Sequence, residues 1–496
     1  MSNFLIGLQS VVSWYALPLI ASGVALGLIF GAIPGLTATL AVALILPFTF
    51  GLPPVIGQVT LIGAFVGGIS GGLVSATLLG IPGTPSSIAT TFDAFPLAKK
   101  GQPIKALKTG IISSFIGGII SGMILVVAST QLAKIALSFG PYEYFMLAIF
   151  GLTVIVSLGE DSWVRSFISA LFGLTITLFG MDPVDGVPRF TFGFTRMQTG
   201  FNLIPTLLGL FVFSQLFSEI EKISERYIFK AKEKMDSFRF GLREIKNNWL
   251  NFIRSSLIGT GLGILPGVGG AIANFVCYDQ AKKASNKPES FGKGAIEGII
   301  ASETGNNATT GGALVPMLTL GIPGDTVTAV LLGGLMIHGI QPGPLLFVEE
   351  VELIYGIFAG FFIANFFMLI IQYVFGIKLF TWALRVPKYI LLPIIVAMCT
   401  VGCYAINCQI FDVWVLFLFG LIGYGMKKYG YPIPPAVLGF ILGPIAEKNL
   451  RLALMHSGGS YLPFFTRPIS LIMFCATIFS IFISLRGVAK FSRKGN

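Results

Sequence analysis

The side chains best suited to binding chemistry crowd into one stretch: Ser302, Glu303, Thr304, Asn306, Asn307, Thr309 and Thr310. They stand directly before an apolar run that ends in Gly321-Ile-Pro-Gly324. Amides, hydroxyls and one carboxylate in such a run can hold an ion or a polar solute. In a hydrocarbon core an unsatisfied polar group is expensive, so the cluster must face protein, water or a ligand. The Gly-Ile-Pro-Gly break denies its neighbours regular helical hydrogen bonds. At membrane depth that is tolerated only where backbone lines a cavity or is buried in protein.

Composition places these residues in a membrane. Of 496 residues, 54% are hydrophobic and only 11% charged, against roughly 25% charged in soluble domains. No Lys, Arg, His, Asp or Glu occurs from Met1 to Phe92. The mean hydropathy is +0.84. The net charge of +11 does not imply nucleic acid, because the basic residues gather in a few loops, notably Lys222 to Arg254. That is the pattern of loops held on the cytoplasmic side. The N-terminal apolar run lacks a basic n-region and reads as a first span, not a cleaved signal. Cys277, Cys399, Cys403, Cys408 and Cys475 sit in apolar surroundings and read as small core residues.

The expected fold is an all-α polytopic membrane protein of about ten to twelve segments, some broken or re-entrant. Spans are expected over 11–30, 57–79, 111–127, 144–158, 167–181, 203–217, 353–377, 389–411, 413–426, 436–446 and 468–485. Residues 182–193 form a polar connection, and 222–254 reads as a charged surface helix.

Two pairs of breaks recur in the same order. Gly31-x-x-Pro34-Gly35 returns as Gly263-x-x-Pro266-Gly267, at an offset of 263 − 31 = 232. Gly80-Ile-Pro-Gly83 returns as Gly321-Ile-Pro-Gly324, at 321 − 80 = 241. Loop charges mirror one another between the copies, which predicts two repeats of inverted topology. The chain then reads as a first repeat half over 1–220, a cytoplasmic basic linker over 221–254, a second repeat core over 255–390 and C-terminal segments over 391–496.

Inverted repeats with matching breaks point to the site of a secondary transporter. Helix starts freed by the breaks offer N–H groups to an anion. The expected substrate-binding residues are Gly35, Thr37, Gly83, Thr84, Pro85, Ser86, Ser87, Gly267, Gly269, Asn306, Asn307, Gly324, Asp325 and Thr326. Ser302, Glu303, Asn306, Asn307 and Asp325 are the candidates for ion coupling, through Na⁺ or a proton, and no other cofactor is expected. Asp325 has a second reading, as the cap of the helix that follows.

The joint pattern resembles the large permease subunit of the tripartite tricarboxylate transporters. The likeness rests on Gly31-Ala-Ile-Pro-Gly-Leu36, Gly80-Ile-Pro-Gly-Thr-Pro-Ser86, Glu303-Thr-Gly-Asn-Asn-Ala308, Leu320-Gly-Ile-Pro-Gly324 and Gly339-Ile-Gln-Pro-Gly-Pro344, with Asp412, Glu447 and Arg467-Pro468 further on. It covers roughly 20–470; Gly305 departs from it, where a bulkier residue, often Ala, is expected. The resemblance implies a multi-pass permease in the bacterial cytoplasmic membrane, importing a tricarboxylate or dicarboxylate such as citrate by symport down a Na⁺ or H⁺ gradient. It also implies a small four-span membrane subunit and an extracytoplasmic solute-binding protein as partners. A primary pump is disfavoured, since no Gly-x-x-x-x-Gly-Lys-Ser/Thr loop occurs. An enzyme is disfavoured too: His338 and His456 are the only histidines, and neither lies near a serine elbow or metal motif. A standalone carboxylate transporter or an anion channel is the remaining alternative.

Overall fold

A computed structural model describes residues 2–157, 163–221, 242–267, 269–375 and 388–492, and these are almost entirely helical. Among them six helices are long and apolar enough to cross a membrane: Pro54–Leu78, Pro103–Ala136, Leu203–Ile220, Val351–Val374, Tyr389–Asn407 and Ile410–Lys428. A pair bent by 76°, Asn3–Val11 with Ala16–Ala32, makes a further span if counted as one. Shorter apolar helices lie at Ala38–Thr49, Pro141–Val154, Trp163–Ile176, Thr326–Ile337 and Pro468–Phe482. This mixture of full and broken helices is what an all-α polytopic membrane protein with Gly-Pro breaks requires.

Two compact units interleave along the chain. One comprises Met1–Ala133 with Ser218–Gly402, the other Lys134–Phe217 with Cys403–Asn496. All four breaks belong to the first unit.

In the first unit the helix Ala16–Ala32 lies against Pro54–Leu78, and Leu242–Ile264 lies against Ile296–Leu320. Contact is backbone to backbone. A Cβ on Gly27 would stand 2.3 Å from the Ala64 carbonyl oxygen, and one on Gly259 2.3 Å from that of Gly305. Small residues permit this approach, which supplies the van der Waals packing that replaces the hydrophobic effect in lipid. The helices Pro54–Leu78 and Ile296–Leu320 are both 25 residues long. The first is apolar and fully buried in its hydrophobic window; the second is buried from Gly298 to Thr319 and carries the polar cluster.

Two details differ from expectation. Lys105 and Lys108 of the first basic loop lie in the opening turns of Pro103–Ala136, where Pro103 starts the helix early because a proline lacks only an N–H that the first turn leaves unpaired. Residues 242–254 of the charged linker continue as the helix Leu242–Ile264, while 222–241 lie outside the described residues.

In the second unit Trp163–Ile176 crosses Ile433–His456 closely: a Cβ on Gly439 would stand 2.2 Å from the Ala170 carbonyl oxygen. The polar connection is an antiparallel ribbon pairing Gly180 with Arg189 and Met181 with Pro188. Arg189 donates to Glu447 at 2.6 Å, and Arg451 pairs with Asp182 at 2.9 Å and with Asp185 at 2.9 Å. Backbone N–H groups of Asp185 and Val184, aided by Arg451 and Arg189, hold the Asp182 carboxyl below the usual range.

Candidate functional site

The site grows from the four breaks. Gly80 and Gly321 end their long helices in the left-handed conformation, at φ 70° and 69°. Gly35 and Gly267 do the same after the two Pro residues, at φ 92° and 82°. Equivalent residues thus share the backbone state that only glycine adopts cheaply. The packing repeats as well. Gly31 approaches the Gly68 carbonyl and Gly263 that of Thr309; Gly71 approaches the Leu28 carbonyl and Gly312 that of Thr260. Each pair maps onto its counterpart by the two offsets found in the sequence, so the repeat is structural.

The restarts are built alike. Thr84 is capped reciprocally by Ser87, and Asp325 by Thr328. The Asp325 carboxylate accepts from the Thr328 N–H at 2.8 Å and from its hydroxyl at 2.8 Å. The capping arrangement expected as one reading of Asp325 is therefore made. Thr37 caps Ala38–Ile45, accepting from the Leu40 N–H at 3.2 Å.

Contact between the halves is reciprocal. Thr39, beyond the first break of one half, meets the Thr326 hydroxyl at 2.9 Å. Ser86, beside Pro85, abuts Gly270, three residues beyond the end of the other half's first break at Gly267. A contact in which each half offers both surfaces is the mark of a two-fold relation. The long helices cross over in the same sense: Gln58 donates to the Leu331 carbonyl at 3.2 Å, and the Thr90 hydroxyl meets the Glu303 carboxyl at 2.6 Å. Thus Ser86 comes to the polar helix beside Gly270, Asn306 and Thr309, while Thr326 comes to Thr39. Gly83 lies against the Gly31 carbonyl and Gly324 against that of Gly263. The Gly324 carbonyl in turn accepts from the Gly267 N–H at 2.7 Å. Gly269 opens the helix Gly269–Ala284 at φ 62°.

Two amides stand out. Asn306 is fully buried, yet neither its Oδ1 nor its Nδ2 has a hydrogen-bond partner. Asn307 Oδ1 is likewise unpartnered, while its Nδ2 donates to the Glu303 carbonyl at 3.1 Å. An unmade buried hydrogen bond costs about 1–3 kcal/mol. Three such atoms on adjacent residues, beside a missing side chain at Gly270, are what a polar ligand would satisfy.

One turn earlier, Glu303 is wholly buried. It hydrogen-bonds the Thr90 hydroxyl, and it accepts from Ser114 at 3.0 Å and from Asn307 Nδ2 at 3.4 Å. Asn274 Nδ2 donates to Thr90 at 3.3 Å and to the Ser302 carbonyl at 3.1 Å. Thr90, Ser114 and Asn274 escape a reading of the sequence because they come from three separate helices and face Glu303 only after folding. Also missed is Glu219, buried, whose carboxylate oxygen lies 2.3 Å from where a Gly35 Cβ would stand. Its position near the end of an apolar span was the available signal. Asp93, the first charged side chain of the chain, accepts from Tyr278 at 2.9 Å and from the N–H groups of Gly294 and Ala295, both at 2.8 Å. It thereby anchors the entry to the polar helix.

A multi-pass helical membrane protein whose duplicated, broken helices gather unpartnered amides and a buried acid belongs to the class of membrane carriers. Its relatives make the assignment specific. A model of the tripartite tricarboxylate transporter TctA family matches residues 17–438, and the chain belongs to that family. It is 34% identical over 494 residues to an uncharacterized 52.8 kDa protein in the TAR-I ttuC' 3' region of Agrobacterium vitis, covering 98% of this chain and 96% of the relative. A second relative, an uncharacterized protein in the TAR-II ttuC' 3' region of the same organism, is 39% identical over 212 residues, 43% of this chain and 87% of its own length. No solved structure matches. The chain is a component of a tripartite transporter system, and its family is one of transporters.

Proposed function

We propose that the chain imports a tricarboxylate or dicarboxylate across the bacterial cytoplasmic membrane, driven by an ion gradient. It works with a small four-span membrane subunit and receives substrate from an extracytoplasmic solute-binding protein. The single observation that carries this reading is the set of unpartnered amide atoms of Asn306 and Asn307, buried where Ser86 and Gly270 of opposite halves meet. Amide N–H groups and helix starts can hold a carboxylate without an arginine. The hydroxyls of Thr37, Thr84, Ser86, Ser87 and Thr326 add neutral donors along the breaks.

In this reading residues 1–220 and 255–390 contain the two repeats, inverted in the membrane with the N-terminus outside, 221–254 joins them on the cytoplasmic side, and 391–496 supplies further segments. Alternating access is then a rocking of one repeat against the other about the shared site. The test is uptake of radiolabelled citrate and succinate into liposomes holding the chain, its small subunit and the cognate binding protein, with Na⁺ and pH gradients imposed separately. Saturable, gradient-dependent and binding-protein-dependent uptake is expected. Non-saturable flux would identify a channel, and uptake without the binding protein a standalone carrier.

A further inference from the structure

We infer that Glu303 holds a proton, and that this proton, not Na⁺, is the coupling ion of the transport cycle proposed above, on which the second half of this inference rests. The inference comes from counting hydrogens. Three oxygen–oxygen contacts run in series: Glu303 Oε1 to Thr90 Oγ1 at 2.6 Å, Thr90 Oγ1 to Ser302 Oγ at 3.2 Å, and Ser302 Oγ to the Ile299 carbonyl at 3.2 Å. The 2.6 Å contact must hold a hydrogen, and an unbroken chain of hydrogen bonds places one in each of the three. The two hydroxyls supply only two, because a hydroxyl carries a single proton and a carbonyl carries none.

A protonated Glu303 supplies the third. It donates to Thr90, Thr90 donates to Ser302, and Ser302 donates to the Ile299 carbonyl. Thr90 keeps a lone pair for the Asn274 Nδ2 donor at 3.3 Å, and Glu303 Oε2 accepts from Ser114 and Asn307. With an ionised Glu303 one of the three contacts is left without a hydrogen, and a charge lies wholly buried among neutral groups. Burying an unpaired carboxylate is the costliest arrangement of those available.

Among the described residues no cation pairs with the Glu303 carboxyl. On the packed helices Arg254 donates to Asn251 at 2.8 Å, Lys108 lies 5.1 Å from the Tyr373 ring centre, and Lys99 lies 4.4 Å from that of Phe95. Lys283 pairs with Asp279, Asp93 is held by Tyr278, Cys277 donates to the Ser255 carbonyl at 3.5 Å, and Glu297 accepts from Ser285. A metal ion fits the network poorly. The amide N–H groups of Asn274 and Asn307 already point at the oxygens whose lone pairs a cation would need, and those oxygens touch one another directly.

The same geometry joins the proton to the substrate site. Asn307 donates to Glu303 through Nδ2 and leaves its Oδ1 free, one residue from the unpartnered Asn306. When Glu303 ionises, its carboxylate draws the Asn307 and Ser114 donors more strongly and resets the amide that faces the ligand. Occupancy by proton and by solute are thereby linked.

Infrared difference spectroscopy of the full-length protein in lipid, wild type against Glu303→Gln, reads the proton directly. At neutral pH and without substrate, the wild type should show the carbonyl band of a protonated carboxylic acid, shifted in heavy water, absent from Glu303→Gln and indifferent to Na⁺. Glu303→Gln imitates the neutral acid and should melt within a few degrees of wild type; Thr90→Val should retain the band at a shifted frequency. Identical spectra for wild type and Glu303→Gln, or a band that Na⁺ removes, would overturn the assignment. In the citrate and succinate assay, Glu303→Gln should lose the stimulation by a pH gradient about tenfold or more. A protonated Glu303 in a protein that moves neither probe down any gradient would end the transport reading and leave the proton in place. Na⁺-driven uptake with no such band would end the proton and leave the transport.

Discussion

The helices Pro54–Leu78 and Ile296–Leu320 have the same length, the same left-handed glycine at the end and the same partners by repeat position, yet opposite interiors. Where the second half has Glu303, Asn306 and Asn307, the first has Ile62, Phe65 and Val66 at the positions 241 residues earlier. Both sets are buried. A single backbone plan thus serves two ends: one copy fills space with apolar side chains, and the other spends its interior on polar groups. The lesson is that duplication here preserves glycine contacts and caps, which set geometry, and lets the facing side chains diverge, which sets chemistry. Gly270 and Thr309 against Ala38 and Gly68 show the divergence in miniature, since small and larger residues have changed places across the same contact.

The strongest way to break that comparison is through the shared geometry. Gly27→Val and Gly259→Val each place a side chain on a carbonyl oxygen at 2.3 Å. Both should cost at least about 3 kcal/mol and abolish a monodisperse, folded protein in detergent. If Gly259→Val melts like wild type while Gly27→Val does not assemble, the two interfaces are not equivalent.

Next come the divergent side chains. Asn306→Ala should lower uptake per folded molecule about tenfold to a hundredfold, the value of one or two hydrogen bonds to a charged ligand. Its melting temperature should hold or rise, since the amide is unpaired in the structure. Phe65→Leu at the matching position should do the reverse: a loss of about 1 kcal/mol in stability with uptake per folded molecule unchanged. A large stability loss in Asn306→Ala would place that amide in the scaffold.

Smaller effects are expected at the caps. Thr84→Ala and Asp325→Ala should each cost about 1 kcal/mol, read as the melting temperature, and Asp325→Asn should recover most of it. The charge of Asp325 is a second question. Unchanged dependence on both gradients in Asp325→Asn leaves the residue as a cap alone; a lost dependence gives it a share in coupling.

Much of this was readable before folding. The four breaks, their two offsets and the polar stretch are local features of the chain, because Gly-Pro pairs and charge-free runs act on their own neighbours. The reciprocal contacts Thr39–Thr326 and Ser86–Gly270 are not local, and the expected set of substrate-binding residues did not indicate which residue each would touch. The partners of Glu303 were hidden for the same reason. Thr90, Ser114 and Asn274 come from three separate helices, and nothing in their own surroundings marks them. The ion pairs that close the ribbon join Asp182, Arg189, Glu447 and Arg451 across more than two hundred residues of chain, a distance over which charge pattern carries no pairing information.

The smallest effect separates the two carboxylates that most affect any pH response. Asp182 lies outside the spans, and its folded-state carboxyl is held below the ordinary 3.8, first by the N–H groups of Asp185 and Val184. A group depressed on folding contributes stability above its unfolded value and loses it as pH falls through the folded one. Its influence is therefore confined to strongly acid solution, below the usual aspartate range. Amide exchange at Val184 and Asp185 should accelerate there in wild type, and Asp182→Asn should remove that acid dependence while exchanging faster at neutral pH. Uptake between pH 5 and 8, about the range where a buried acid can titrate, should be the same in Asp182→Asn as in wild type. A shifted pH profile for Asp182→Asn in that range would tie the response to the ribbon of the second unit and take it away from the polar helix of the first.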